Sequence, residues 1–106
     1  MVKRGEVWLA ALDPTVGSEI RKTRPCLIIS PPEIHDYLRT VIVAPMTSQS
    51  RPAGYRVPVT FGGVSGLILL EQGRSIDRKR LVKRLGAVEP AVLAQVLETL
   101  RELYSE

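Results

Sequence analysis

Cysteine, histidine, tryptophan and phenylalanine each occur once in this chain of 106 residues. With Cys26 alone, no intrachain disulfide can form, and its place in the apolar run 26–29 reads as a small core residue. One cysteine and one histidine, His35, argue against a protein-bound transition metal, so any chemistry is expected to proceed without a metal or another cofactor. No window approaches the roughly 18 consecutive apolar residues of a membrane span, and the opening MVKRGEVW lacks the apolar core of a signal peptide, which excludes a membrane partner and predicts a cytoplasmic protein. Repeats and low-complexity tracts are missing. Missing too is the regular strand–helix alternation that a parallel, Rossmann-like sheet requires.

What is present is an ordinary globular composition, 44% hydrophobic and 25% charged, which argues against disorder. The length predicts one domain, 1–106, with a single modest core. Lys and Arg number 15 against 11 Asp and Glu, and the resulting +4 favours polyanionic partners such as nucleic acid. The excess is local. Arg78, Lys79, Arg80, Lys83 and Arg84 crowd one segment, while Glu89, Glu98, Glu102 and Glu106 populate the C-terminal one.

Residues 4–12 are rich in strand formers and read as a first strand, with Trp8 a core residue. Asp13 and Pro14 stop it and begin a polar loop that includes Gly17, Ser18, Glu19, Arg21, Lys22 and Arg24. Pro25 biases Arg24 toward extended backbone, and residues 26–29 continue as a central strand until Pro31 and Pro32. Residues 33–39 are a polar connection. Residues 40–46, TVIVAPM, form a β-branched strand that discharges into Thr47, Ser48, Gln49 and Ser50. A strand over 55–61 follows, then a turn containing Gly62, Gly63, Ser65 and Gly66, then the apolar strand 67–70 running into Glu71 and Gln72. Leu81, Val82 and Leu85 are expected to anchor the basic run. Pro90 with Leu93, Val96, Leu97, Leu100, Leu103 and Tyr104 at three- and four-residue spacing marks a terminal helix. The predicted fold is mostly β with a C-terminal helix, a small and mainly antiparallel barrel.

Arg24, Thr47 and Glu71 each stand where a polar loop meets a core strand, and such boundaries gather at one rim of a small barrel. A guanidinium recognises phosphate in a planar, bidentate way, a hydroxyl can donate to a developing oxyanion, and a carboxylate can accept a proton. Together they suit metal-free cleavage of RNA, in which the ribose 2′-hydroxyl attacks its own phosphate. Structural alternatives stand beside this reading: Arg24 could pair with Glu19, Thr47 could close a turn, and Glu71 could pair with one of several arginines.

The ordered set RGEVWLAALDP, GSE with TRPCLIIS, VIVAPMTS and ILLEQGRSIDRKRL resembles the MazF/PemK family of toxin endoribonucleases. The resemblance implies an SH3-like barrel of the CcdB/MazF type, a homodimer, a cognate MazE-like antitoxin with a flexible acidic segment, and cleavage of single-stranded mRNA at short sequences to leave a 2′,3′-cyclic phosphate and a 5′-hydroxyl. By matching position it makes Arg24 the main catalytic arginine and Thr47 its partner, with Ser18 and Glu19 lining the groove and Glu71 where some members carry a proposed general base. Some members have a histidine at the position of Ser18 and an arginine at that of Leu69, roles this chain lacks. A guanidinium is a poor general base, so Arg24 is assigned first to stabilising the phosphate. Arg51, Arg56, Arg74, Lys79 and Arg80 are expected to track the RNA backbone, and Ser18, Ser48, Gln49 and Gln72 to meet the bases. The competing readings are a toxin that docks on DNA gyrase without cutting, as in the related CcdB family, and a basic RNA-binding module without activity.

Overall fold

Apolar side chains at alternating positions drive residues of this chain into strands with two buried faces. The computed structural model describes residues 2–12, 23–33 and 38–105. Within them run β1 (Glu6–Ala11), β2 (Thr23–Ile28), β3 (Thr40–Thr47), β4 (Arg56–Phe61), β5 (Val64–Leu69), a 3-10 turn (Leu70–Gln72), β6 (Arg74–Asp77), a second 3-10 turn (Arg78–Arg80), β7 (Leu81–Ala87) and the helix α1 (Pro90–Leu103). All strand pairs are antiparallel, in the order β4-β5-β3-β2-β1-β7 with β6 alongside β3.

β3 is the axis of this arrangement. One edge pairs first with β6 over Thr40 to Val43 and then with β5 at Met46 and Thr47, while the other pairs with β2. The two-residue period of a strand sends neighbouring side chains to opposite faces. Thus Leu27 enters one core with Val7, Ala44, Met46, Val57, Val59, Ile68 and Leu70, whereas Cys26 and Ile28 enter a second with Ala10, Leu12, Val41, Val43 and Ile76. α1 closes the first core through Val96, which is fully buried, with Val92 and Leu100 packed beside it. Burying a side chain such as Val96 contributes roughly 1.5–3 kcal/mol.

The sheet curls enough for a side chain at one end to reach the strand at the other. Phe61, at the end of β4, lies so near Gly86 of β7 that a Cβ there would stand 3.0 Å from its ring. The expected mainly antiparallel β architecture with a C-terminal helix is therefore present, as a half-barrel.

Details differ from the sequence reading. Ser65 and Gly66 belong to β5, because Gly62 and Gly63 at φ 58° and 79° complete a two-residue hairpin by themselves. β2 starts at Thr23, ahead of Pro25. Val82 and Leu85 do not anchor the basic run: they are 60% and 39% exposed, since among the described residues β7 pairs with β1 alone, and of the three Leu81 packs on the second core. Tyr104 follows the last helical residue and is exposed. Trp8 is half-buried against the second core, and its indole N–H donates to Glu6.

Candidate active site

β2 enters the sheet where β3 leaves it. Their register ends with Cys26 opposite Pro45, and Arg24 and Thr47 each lie two residues beyond that pair. Both residues line one cleft of about 260 Å³, together with Pro25, Met46, Ser48, Val59, Phe61, Val64, Gly66 and Leu67. The register with β1 sets Arg24 opposite Ala10 of the second core, so its side chain leaves on the face opposite Met46, Val59 and Phe61. The Thr47 hydroxyl accepts the Gln49 backbone N–H at 3.1 Å, so it does close a turn. That bond uses an acceptor lone pair and leaves the O–H to donate elsewhere.

Gly66 makes this geometry possible. A Cβ on it would stand 2.6 Å from the Thr47 carbonyl oxygen and 3.1 Å from the carbonyl carbon. β5 can pair with the last residue of β3 only because that side chain is absent. The turn-like sequence GGVSG hid this role, since a glycine near other glycines reads as loop.

Arg74 joins the same face. β6 pairs Arg74 with Val43, whose side chain shares the second core with Cys26. Burial pushes the Cys26 thiol up to about 12, and Arg74 and Arg24 both act against that shift. The thiol is fully buried and stays protonated, so it supplies no nucleophile. What it reports is that the charges of Arg24 and Arg74 both lie near Cys26.

Glu71 belongs to a different cluster. Its Oε2 accepts from Arg56 Nη2 at 2.6 Å and Nε at 2.9 Å, and Arg56 Nη1 donates to the Arg51 carbonyl at 2.9 Å. The Glu71 hydrogen bond, above all, raises the Arg56 pKa. The guanidinium also stands 5.7 Å from the Tyr55 ring centroid. Glu71, Arg56 and Arg51 therefore hold one another and do not line the cleft with Arg24 and Thr47. The pairing of Glu71 with an arginine, one of the alternatives open in the sequence, is realised.

Ser48 lines the cleft, Gln49 is exposed next to it, and Gln72 ends the 3-10 turn. Ser18 and Glu19, with Arg21, Lys22 and His35, lie outside the described residues. Lys79 and Arg80 sit in the second 3-10 turn, where Asp77 accepts from the Lys79 N–H at 2.8 Å and Arg80 reaches the Ala11 carbonyl at 3.4 Å. Among the described residues no group of His, Cys, Asp and Glu is placed to hold a metal ion.

The sequence reading gave Glu6 no role, yet it is the most heavily bonded carboxylate among the described residues. Oε1 accepts from the Lys3 N–H at 2.9 Å and the Trp8 indole at 3.0 Å, and Oε2 from Arg84 Nε at 2.9 Å. Burial raises its pKa, but these donors and the Arg84 charge outweigh burial and leave it below the ordinary value. Glu6 ties β1 to β7 at a distance from the cleft.

Residues 3–104 match the family described as PemK-like, MazF-like toxins of type II toxin–antitoxin systems. The chain is 39% identical to endoribonuclease PemK of Escherichia coli over 105 residues, which span 93% of this chain and 79% of the relative. Its fold superposes on MazF of Deinococcus radiodurans with a TM-score of 0.84 at 29% identity, covering 96% of this chain and 94% of that one. MazE-MazF from the same organism gives a TM-score of 0.77 at 26% identity, covering 96% and 93%.

Proposed function

The chain belongs to the PemK-like, MazF-like toxins of type II toxin–antitoxin systems, and on that premise we propose that it is an endoribonuclease which cuts single-stranded mRNA at short sequences without a metal. One observation carries the chemistry: Arg24 and Thr47 line one cleft where β2 and β3 run side by side. A phosphodiester set there places its non-bridging oxygens between the guanidinium and the hydroxyl. The ribose 2′-oxygen attacks phosphorus and loses its proton, the bond from phosphorus to the 5′-oxygen breaks, and that oxygen takes up a proton. The products are a 2′,3′-cyclic phosphate and a 5′-hydroxyl.

Negative charge grows on the phosphate oxygens as the new bond forms. Arg24 stabilises that charge in the transition state, with Arg74 adding a second cation on the same face, and Thr47 donates its O–H to one oxygen. Glu71, the second choice for accepting the 2′-proton, lies in the Arg56 cluster and does not line the cleft. Its Oε2 is held by Arg56, so the proton would go to Oε1. Arg51, Arg56, Lys79 and Arg80 extend the positive surface along which an RNA backbone could run, and Ser18, Glu19, Ser48, Gln49 and Gln72 supply groups for reading bases. Docking without cutting is the less favoured account, because the PemK relative is named as an endoribonuclease.

The same reading gives the protein a cognate MazE-like antitoxin, a homodimeric state and a place in the cytoplasm with its substrate. Type II membership and the fold shared with MazE-MazF support the antitoxin. Among the described residues no helix is long and apolar enough to cross a membrane.

The test is cleavage of single-stranded RNA in EDTA, alongside a matched strand with one 2′-deoxy nucleotide at the cut site. Cutting of the first and survival of the second is the expected result. Cutting that persists in the deoxy strand, or that needs added metal, would overturn the mechanism.

A further inference from the structure

Between the end of β3 at Thr47 and the start of β4 at Arg56 the chain belongs to no strand or helix, yet this connection carries Ser48 and Gln49, groups expected to meet RNA bases. A segment of that kind keeps a fixed shape only where side chains or turns hold its backbone. Its first half is pinned at both ends. The Thr47 hydroxyl accepts the Gln49 N–H at 3.1 Å, and Arg56 Nη1 donates to the Arg51 carbonyl at 2.9 Å.

Arg56 is itself held. The register sets it opposite Leu69, the last residue of β5, and the 3-10 turn that follows returns Glu71 to it, with Oε2 accepting from Nη2 at 2.6 Å and Nε at 2.9 Å. Its backbone N–H closes a turn onto the Ala53 carbonyl at 3.0 Å. The guanidinium thus commits Nε, Nη1 and Nη2 to protein oxygens, and its side chain is only 20% exposed. Such a cation adds to the positive surface from a distance, while its donors serve the loop.

Resting on the endoribonuclease reading, we propose that Arg56 is a positioning residue for base selection: by holding the Arg51 carbonyl against Glu71 it sets the turn 48–51, so that Ser48 and Gln49 meet the RNA bases in one geometry. Ser48 lines the cleft and Gln49 is exposed next to it, so a turn fixed there stands at the edge of the site. Base discrimination needs such a frame, because a polar group free to follow its substrate bonds the wrong base almost as well as the right one. The role calls for the fork of an arginine. A lysine keeps the charge, but a single ammonium cannot hold the carboxylate and the carbonyl in the same planar arrangement.

The test separates base selection from attraction to the backbone. The preferred sequence of the wild type is mapped on a pool of single-stranded RNA, and kcat/KM is then measured on that RNA and on strands with one base changed at each position near the cut. Arg56→Lys, the pair Ser48→Ala with Gln49→Ala, and the variant combining these substitutions are compared, with thermal melting to confirm that each folds. In Arg56→Lys, discrimination against a wrong base is expected to fall by roughly 2- to 13-fold, the net worth of one hydrogen bond, at some positions and not at others. The Ser48→Ala, Gln49→Ala pair should lose discrimination at the same positions, and the combined variant should lose little more.

Unchanged discrimination in Arg56→Lys would overturn the brace and leave the nuclease intact. A loss of kcat/KM of equal size on every sequence would do the same and assign Arg56 to the RNA backbone. Losses at different positions in Arg56→Lys and the Ser48→Ala, Gln49→Ala pair, losses that multiply in the combined variant, or a wild type that cuts without sequence preference would also overturn it. A wild type that cuts no RNA would remove the nuclease reading and the brace together.

Discussion

The carbonyl oxygen of Thr47 occupies the space next to Gly66 so fully that a Cβ there would stand only 2.6 Å away. Backbone geometry at the end of β3 therefore depends on a residue with no functional group. Gly66→Ala must displace the Thr47 backbone or part β5 from β3. Overpacking of this kind destabilises by about 1–3 kcal/mol, and the moved hydroxyl should lower kcat/KM by at least tenfold. Gly54→Ala is the control, because its Cβ would meet nothing within 4 Å, and it should melt within a few degrees of the wild type and cut normally.

Arg24 and Thr47 can be separated by conservative changes. Arg24→Lys keeps a charge but loses the planar fork, and a fall in kcat of about 100-fold or more is expected if bidentate contact with the phosphate is what it supplies. Thr47→Ser keeps the hydroxyl and should stay within a few-fold of the wild type, whereas Thr47→Val should lose about 100- to 1,000-fold. Single-turnover rates on one defined RNA measure both. Near-normal cutting by Arg24→Lys would remove planar recognition from the mechanism.

The Glu71 cluster poses a sharper alternative. If Glu71 accepts the 2′-proton, Glu71→Gln should cut at least 100-fold more slowly and lose the acid limb of the pH–rate profile. If it serves only to hold Arg56 and the Arg51 carbonyl, the rate falls modestly, Arg56→Ala copies the effect, and the pH profile keeps its shape. The profile of the two variants decides between these roles.

Glu6 predicts how the fold responds to acid. Its folded pKa lies below the ordinary glutamate value, so its contribution is fully present above about pH 4.3 and is lost as pH falls through the lower folded value. Glu6→Gln should flatten the pH dependence of stability below that point. At pH 7 it should lower stability by about 1–3 kcal/mol, because the Trp8, Lys3 and Arg84 donors lose a charged acceptor. Urea midpoints at pH 3, 5 and 7 provide the check.

Cys26 should be silent in the native protein. With its pKa raised to about 12 by burial and no exposed surface, it should resist a disulfide reagent at pH 8 and react at one thiol per chain in guanidinium. Rapid native labelling would contradict the packing of β2 against the second core.

Much of the fold was legible because its signals are local. Runs of strand formers and apolar residues marked most strands, Pro90 and the leucine spacing marked α1, and the boundaries between polar loops and core strands picked out Arg24 and Thr47. The errors fell where a neighbour decides the outcome. Val82 and Leu85 look like anchors but lie on an edge strand, and Ser65 and Gly66 look like turn but pair with β4. Glu6 had no role in the sequence reading, because Arg84 reaches it only through the pairing of β1 with β7.

By itself the sequence determined the alternation that builds an antiparallel sheet, the terminal helix, the positive balance and the residue types from which phosphate chemistry can be made. Only the tertiary structure decided which of those residues meet. Arg24 and Thr47 lie 23 positions apart and come to line one cleft because β2 and β3 pair just beside them. Glu71, placed in the same class by its position after a core strand, is taken by Arg56 instead. Strand periodicity is written in neighbouring residues, whereas register and the close approach at Gly66 depend on how distant segments share space.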